Sequence, residues 1–122
     1  MYELKIIDGF SSAHHLRDYK GKCENLHGHN WKVEVVVKAE ITGKSGLVVD
    51  FKVLKGKLSR ITSEIDHCYI NETEYFKVHN PTSENIARYI FEKMKKAVGK
   101  KFFKVKKVTV WENEKQAASY YE

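Results

Sequence analysis

The segment CENLHGHN, residues 23 to 30, brings a cysteine, a glutamate and two histidines together in one short stretch. Imidazole and thiolate groups are the usual protein ligands of zinc, and they also serve as acids, bases and nucleophiles. His27 and His29 are two residues apart, so in an extended strand both side chains point to the same face. The segment therefore predicts a metal site, a catalytic centre or both, and the alternative is a pair of polar residues at the end of a strand.

A third ligand is available from the N-terminal strand. Leu4 and Ile6 alternate with charged residues, and the same parity leads to His14 unless Gly9 introduces a bulge. Three neutral imidazoles leave a fourth position for water or substrate, which is typical of catalytic zinc sites. The predicted ligands are His14, His27 and His29. Zinc is the cation that we expect on this all-imidazole set, and copper and nickel, which bind such ligands in vitro, are the alternatives.

Cys23 has two possible roles. A thiol next to a divalent cation and to lysines loses its proton more easily, so Cys23 could act as a base or nucleophile. It could instead be the fourth zinc ligand, which would close the site and make it structural. A structural zinc in a basic chain would fit a nonenzymatic nucleic-acid-binding module, although the sequence lacks the aromatic and basic clustering of such modules.

Two further places carry acidic groups of interest. Asp66 and His67 are predicted to end the first helix, where a turn of the chain could make a carboxylate and an imidazole part of a proton relay. Glu112 follows Val108 and Val110 on one strand parity. A carboxylate at the inner end of a strand suits a paired donor such as the amidine edge of a guanine-like or pterin ring, and an exposed turn acid is the alternative.

The elements that position these residues follow from periodicity. Residues 31 to 41 alternate as a half-buried strand, which continues the parity of His27 and His29. Asp50 can cap a first helix, Thr82 or Ser83 can cap a second, and Gly99 can stop it. Two strands follow. The order is ββααββ, and the fold class is α+β, with a four-stranded antiparallel sheet covered on one face by two helices.

Composition sets the outer bounds. The 122 residues suit one domain, 1–122, and 42% hydrophobic with 31% charged residues is a globular composition. A formal net charge of +6 favours an anionic partner. We find no apolar run long enough for a signal peptide or a membrane span, so we expect a cytoplasmic protein without a membrane partner and with both cysteines as thiols.

A family resemblance adds to these predictions. The motifs occur in the order and spacing of the 6-pyruvoyl-tetrahydropterin synthase and 6-carboxy-tetrahydropterin synthase family, and they cover nearly the whole chain. They are FSSAHHL, CENLHGHN, GLVVDFKVLK, IDHCYIN, NPTSENIARYI and VTVWE.

The resemblance implies a tunnelling fold (T-fold), in which trimers close a barrel, two trimers form a homohexamer and the active sites lie between subunits. It implies zinc on His14, His27 and His29. The remaining site residues implied by motif match are the catalytic Cys23, Asp66 and His67, the pterin anchor Glu112, and the assisting Thr82 and Ser83.

The implied substrate is dihydroneopterin triphosphate. The three residues between Cys23 and HGH resemble the carboxy-forming enzymes, which release acetaldehyde and serve the deazaguanine route to queuosine, whereas the pyruvoyl enzymes carry a longer gap. Glu24 makes the pattern CExxHGH, which is similar to a subgroup proposed to add a retro-aldol cleavage giving 6-hydroxymethyl-dihydropterin for folate. Glu24 is then a second acid or base, or else a solvated loop residue.

Overall fold

The structure is a computed structural model that describes residues 1–19 and 25–122. In these described residues, four strands and three α-helices follow one another, with a 3₁₀ turn between the first two helices. The elements are β1 (Tyr2–His14), β2 (His27–Ala39), α1 (Phe51–Ser63), the 3₁₀ turn (Ile70–Glu72), α2 (Glu74–Val78), α3 (Ser83–Val98), β3 (Phe103–Asn113) and β4 (Gln116–Tyr121).

The strands form one antiparallel sheet in the order β1-β2-β3-β4. The pairing of β1 with β2 runs without a register shift from Tyr2 opposite Ala39 to His14 opposite His27. Gly9 therefore introduces no bulge. It is needed for another reason, because a Cβ atom at this position would lie 3.0 Å from the carbonyl oxygen of Trp31. The uninterrupted register keeps the predicted parity of β1.

The predicted helix signals are confirmed. The Asp50 side chain accepts a hydrogen bond from the Lys52 N–H at 2.8 Å, and the Thr82 side chain accepts from the Asn85 N–H at 3.1 Å. Helix α3 ends at Gly99, whose φ of 69° lies in the left-handed region that glycine favours.

Several boundaries differ from the prediction. The helix α2 and the 3₁₀ turn were not predicted, because elements of five and three residues are too short to show a periodic pattern. The predicted order ββααββ holds for the strands and the two long helices α1 and α3, and the structure adds the short α2 and the 3₁₀ turn between them. Helix α1 ends at Ser63, so Asp66 and His67 lie beyond it, and β2 ends at Ala39 and leaves Ile41 exposed.

The hydrophobic core lies between one face of the sheet and the helices. Helix α1 packs on β1, whereas α3 packs on β3 and β4. The inward residues of both sides are almost fully buried, and they include Val33, Val35, Val108, Val110, Leu58, Ile86, Ile90 and Met94. The α+β class with helices on one face of a four-stranded antiparallel sheet is confirmed. In the part of the chain that the structure describes, no helix is long and apolar enough to cross a membrane.

Candidate active site

The three predicted ligand histidines converge at one end of the sheet, on its helix-covered face. Adjacent pairs in the register place Ser12 opposite His29 and His14 opposite His27. The Nε2 atoms of His14 and His27 lie 3.0 Å apart. His14 is 1% exposed, and the other two rings are half-buried. Strand parity alone therefore predicts this cluster correctly.

Backbone carbonyls fix the protonation pattern of two of these rings. His14 Nδ1 lies 2.8 Å from the Pro81 oxygen, and His27 Nδ1 lies 2.7 Å from the Asn25 oxygen. Because a carbonyl only accepts, each Nδ1 carries a hydrogen, and each neutral ring then has a lone pair on Nε2. Two lone pairs at 3.0 Å repel unless a proton or cation lies between them. The arrangement suits a metal ion.

Glu112 joins the histidines from β3. Its Oε1 atom lies 3.1 Å from His29 Nε2 and 3.4 Å from His14 Nε2. Its Oε2 atom accepts a hydrogen bond from the Gln116 side-chain amide at 3.0 Å. The candidate ligand atoms of the three histidines and Glu112 all lie within 4.8 Å of one another. This group could bind a metal ion.

The contact between His29 and Glu112 is not a hydrogen bond. His29 Nε2 is buried and has no hydrogen-bond partner among the described residues, although the carboxylate oxygen is close. The two atoms are near each other without being aimed at each other. This geometry is typical of two side chains that bind the same metal ion.

Burial lowers the pKa of two of these histidines. Burial lowers the pKa of His14, although the Pro81 hydrogen bond partly opposes this effect. Burial also lowers the pKa of His29, against the attraction of the Glu112 carboxylate. A lowered imidazole pKa means that the neutral form, which alone binds metal, is present at neutral pH.

A cleft of about 630 Å³ opens beside this cluster. Its lining contains His29 and Glu112 together with Lys32 and Trp111, and the Lys32 ammonium lies 5.3 Å from the centre of the Trp111 ring. Lys32 is the basic side chain among the described lining residues. The cleft thus offers an aromatic ring, a cation and a carboxylate next to the histidine cluster.

Asp66 and His67 lie apart from the cluster, along the outer edge of β1. The His67 N–H donates to the Ser11 carbonyl at 2.6 Å, and the Ala13 N–H donates to the Cys68 carbonyl at 3.1 Å. Asp66 Oδ1 accepts from the Ser11 N–H at 2.9 Å and lies 2.8 Å from His67 Nδ1. The adjacent carboxylate and imidazole therefore form a pair with each other.

A strained backbone makes this pair possible. His67 has a φ of 50°, in the left-handed region, which turns its ring back toward Asp66. The Ser11 hydrogen bond, and after it the His67 contact, lower the pKa of Asp66. The His67 side chain is 82% exposed. One chain thus presents an Asp–His pair with an ionised carboxylate to its surroundings.

The remaining predicted site residues are Cys23, Glu24, Thr82 and Ser83. Cys23 and Glu24 lie outside the described residues. Thr82 is occupied as the cap of α3, and Ser83 begins that helix, with both side chains half-buried. Pro81, whose oxygen orients His14, was not predicted, because a backbone carbonyl leaves no signal in residue types.

Converging imidazoles and a carboxylate beside an open cleft are typical of enzymes that bind a metal ion. The chain belongs to the 6-pyruvoyl tetrahydropterin synthase family, whose family model matches residues 3–122. It is a lyase of the 6-carboxy-/6-pyruvoyl-tetrahydropterin synthase family. The nonenzymatic nucleic-acid-binding alternative is therefore wrong.

Individual relatives carry different names. The putative 6-carboxy-5,6,7,8-tetrahydropterin synthase of Archaeoglobus fulgidus is 37% identical over 111 residues, which cover 91% of this chain and 88% of that relative. The dihydroneopterin monophosphate aldolase of Pyrococcus furiosus is 38% identical over 103 residues, which cover 84% and 82%.

A solved structure supports the fold. The 6-pyruvoyl tetrahydropterin synthase of Caenorhabditis elegans superposes with a TM-score of 0.90 at 34% identity, covering 99% of this chain and 95% of that one. The predicted T-fold is confirmed for the single chain.

Proposed function

We propose that this chain is a zinc-dependent lyase that converts dihydroneopterin triphosphate to 6-carboxy-tetrahydropterin, with uptake of water and release of acetaldehyde and triphosphate. The reaction would serve the deazaguanine route to queuosine in the cytoplasm. The observation that carries the proposal is the convergence of His14, His27 and His29, in a chain where three residues separate Cys23 from the HGH motif. The name of the Archaeoglobus relative supports the carboxy-forming product.

The three histidines are the proposed zinc ligands. Their set fits the ion because two rings direct lone pairs at each other from backbone-fixed positions. A zinc ion held there would supply Lewis-acid polarisation of the substrate's side-chain hydroxyl groups. The chain's own contribution is orientation, since the hydrogen bonds at Nδ1 of His14 and His27 hold these two rings in place.

The proton-transfer groups are Cys23, Asp66 and His67. Cys23 follows from the motif, and we propose that it removes a proton from the substrate side chain. Asp66 and His67 would return protons, and the exposed position of their pair fits a role at the active site of a neighbouring subunit. The proposed assembly is a homohexamer made of two trimers, in which such intersubunit sites form.

The cleft supplies the binding groups. Glu112 would accept hydrogen bonds from the amidine edge of the pterin, with Thr82 and Ser83 assisting at the ring. Lys32 lines the same cleft as His29 and Glu112, so its ammonium group is placed to attract the triphosphate.

A second candidate function is retro-aldol cleavage to 6-hydroxymethyl-dihydropterin, alone or beside the first activity. Two observations favour it: Glu24 directly follows Cys23, and the Pyrococcus relative is named an aldolase that acts on dihydroneopterin monophosphate. A second acid or base next to the cysteine could change which side-chain bond breaks.

Product analysis tests these proposals. Zinc-loaded protein is incubated with dihydroneopterin triphosphate, and separately with the monophosphate, and the pterins and acetaldehyde are resolved. Carboxy-pterin with acetaldehyde supports the first function, and hydroxymethyl-pterin supports the second. Pyruvoyl-pterin would move the assignment to the third family activity, and no turnover of either substrate would overturn all three.

Single substitutions then assign the residues. Cys23→Ala should abolish the carboxy product, whereas Cys68→Ala is the matched thiol control. Glu24→Gln should remove only the hydroxymethyl product if Glu24 is the second acid or base. Glu40→Gln removes an exposed carboxylate outside this cleft and serves as its control.

A further inference from the structure

We infer that Glu112 is the fourth donor to the metal ion when no substrate is bound. The inference rests on the proposed histidine site and adds a ligand to it. The resemblance assigned Glu112 only to the pterin ring, but its carboxylate lies among the imidazole nitrogens in the structure.

Three of the separations between the candidate donor atoms are close to those of a tetrahedral ligand shell. Donors about 2.0–2.1 Å from a tetrahedral zinc ion stand about 3.3–3.4 Å from one another. The separations here are 3.0 Å between His14 and His27, 3.4 Å between His14 and Glu112, and 3.1 Å between His29 and Glu112. All four candidate donor atoms lie within 4.8 Å of one another.

The directions of these groups agree with the distances. A carboxylate next to an imidazole would normally accept its hydrogen, but the contact between Glu112 and His29 lacks hydrogen-bond geometry. The Nε2 lone pairs of His14 and His27 face each other at hydrogen-bond distance. Groups that would repel or miss one another in pairs all become favourable around a shared cation.

The local structure holds the carboxylate in this place. The parity of β3 puts Glu112 on the same face as Val108 and Val110, which are fully buried. Gln116 at the start of β4 donates to Oε2, which leaves Oε1 facing the histidines. The side chain is 18% exposed, so its charge is best compensated by a cation nearby.

A carboxylate ligand also balances charge. Three neutral imidazoles leave the full double charge of the ion in a partly buried site, and one carboxylate halves it. The same oxygens are proposed to hold the pterin ring, so release of Glu112 from the ion would be part of substrate binding.

Metal binding without substrate tests the inference. Metal-free full-length protein is titrated with zinc in competition with a chromophoric chelator, and with cobalt(II) while its visible absorption is recorded. Glu112→Gln should weaken zinc binding about 10- to 100-fold and change the cobalt spectrum. Gln116→Ala, which only frees the carboxylate, should weaken binding by up to about tenfold. Glu40→Gln, which removes an equal charge from an exposed position just beyond the opposite end of β2, should leave both readouts unchanged.

Each result points one way. Unchanged zinc affinity and cobalt spectrum in folded Glu112→Gln protein would overturn the inference and leave the three-histidine site intact. A sulfur-to-cobalt charge-transfer band in the wild type would also overturn it, because Cys23 would then hold the fourth position. If the wild type binds no zinc at all, the proposed metal site itself fails. Circular dichroism checks that each variant is folded, and Gln116→Ala tests the point without altering a ligand.

Discussion

The carbonyl oxygen of Pro81 accepts a hydrogen bond at 2.8 Å from Nδ1 of His14, a residue 67 positions earlier in the chain. This contact ties the loop before α3 to the end of β1. It also determines which nitrogen of His14 faces the cluster, because Nδ1 is used by the carbonyl. The loop is thus part of the candidate metal site although it contributes no side chain to it.

Asn80 anchors this loop. Its side chain accepts from the Arg17 N–H at 2.9 Å and donates to the Arg17 carbonyl at 2.9 Å. We expect Asn80→Ala to lower the free energy of unfolding by about 1–3 kcal/mol, because a part-buried backbone donor and acceptor lose their partners. Urea unfolding measures this.

We also expect the substitution of Asn80 to change the zinc affinity, because the loop it anchors orients His14. If Asn80 positions Pro81, Asn80→Ala weakens zinc binding in a chelator competition, whereas Asn80→Asp, which keeps the acceptor and loses the donor, gives an intermediate effect. Equal zinc affinity in all three proteins would show that the loop is only a structural support.

The Asp66–His67 pair should affect turnover and not metal binding. In Asp66→Asn the side-chain oxygen can still accept from the Ser11 N–H, so the edge of β1 stays in place while the negative charge next to His67 is lost. We expect kcat to fall about 10²- to 10⁴-fold, the usual contribution of a positioned acid or base. Zinc affinity should not change.

Asp50→Asn is the matched control, since asparagine caps a helix about as well as aspartate. Steady-state kinetics of both variants against the wild type provide the measurement. A wild-type kcat in Asp66→Asn would remove this pair from the catalytic group.

Cys68 should be a slow thiol. Burial raises the pKa of Cys68 above its ordinary value of 9.0, with the nearby Asp66 charge acting in the same direction against the Ser12 contact. Only the thiolate reacts with alkylating reagents, so a raised pKa means slower labelling at any pH below it. In Cys23→Ala, where Cys68 is the remaining cysteine, the rate of iodoacetamide labelling should still be rising at pH 9.

Cys68→Ala gives the complementary measurement on Cys23. If that cysteine is the proposed base near a cation, its labelling should level off at a lower pH than that of Cys68. A plateau below pH 9 for Cys68 itself would contradict the raised pKa.

Two glycines should respond to alanine in opposite ways. At Gly9 an added Cβ would lie 3.0 Å from the backbone oxygen of Trp31, and neither strand can move without disturbing the register that leads to His14. We expect Gly9→Ala to cost about 1–3 kcal/mol of unfolding free energy. At Gly56, inside α1, nothing lies within 4 Å of the new atom, and Gly56→Ala should stabilise by about 0.5–1 kcal/mol.

Thermal or urea unfolding of the two variants checks both signs at once. A neutral Gly9→Ala would mean that the strands β1 and β2 can separate locally at little cost. The register would then be a weak constraint on the histidine cluster.

The sequence alone determined the features of this protein that depend on periodic patterns or on neighbouring residues. The two-residue period of β1 and β2 placed His14, His27 and His29 on one face, because side chains alternate in any extended strand. The caps at Asp50 and Thr82 and the stop at Gly99 were also readable, since each depends on a few neighbouring residues.

Only the tertiary structure decided which residues distant in sequence lie next to each other at the site. Glu112 reaches the histidines because β3 pairs with β2, and Pro81 orients His14 because a distant loop folds back on β1. The Asp66–His67 pair depends on a left-handed turn against the edge of β1. Such contacts join residues far apart in sequence, and they are fixed by the packing of the whole sheet and its helices, which no local pattern records.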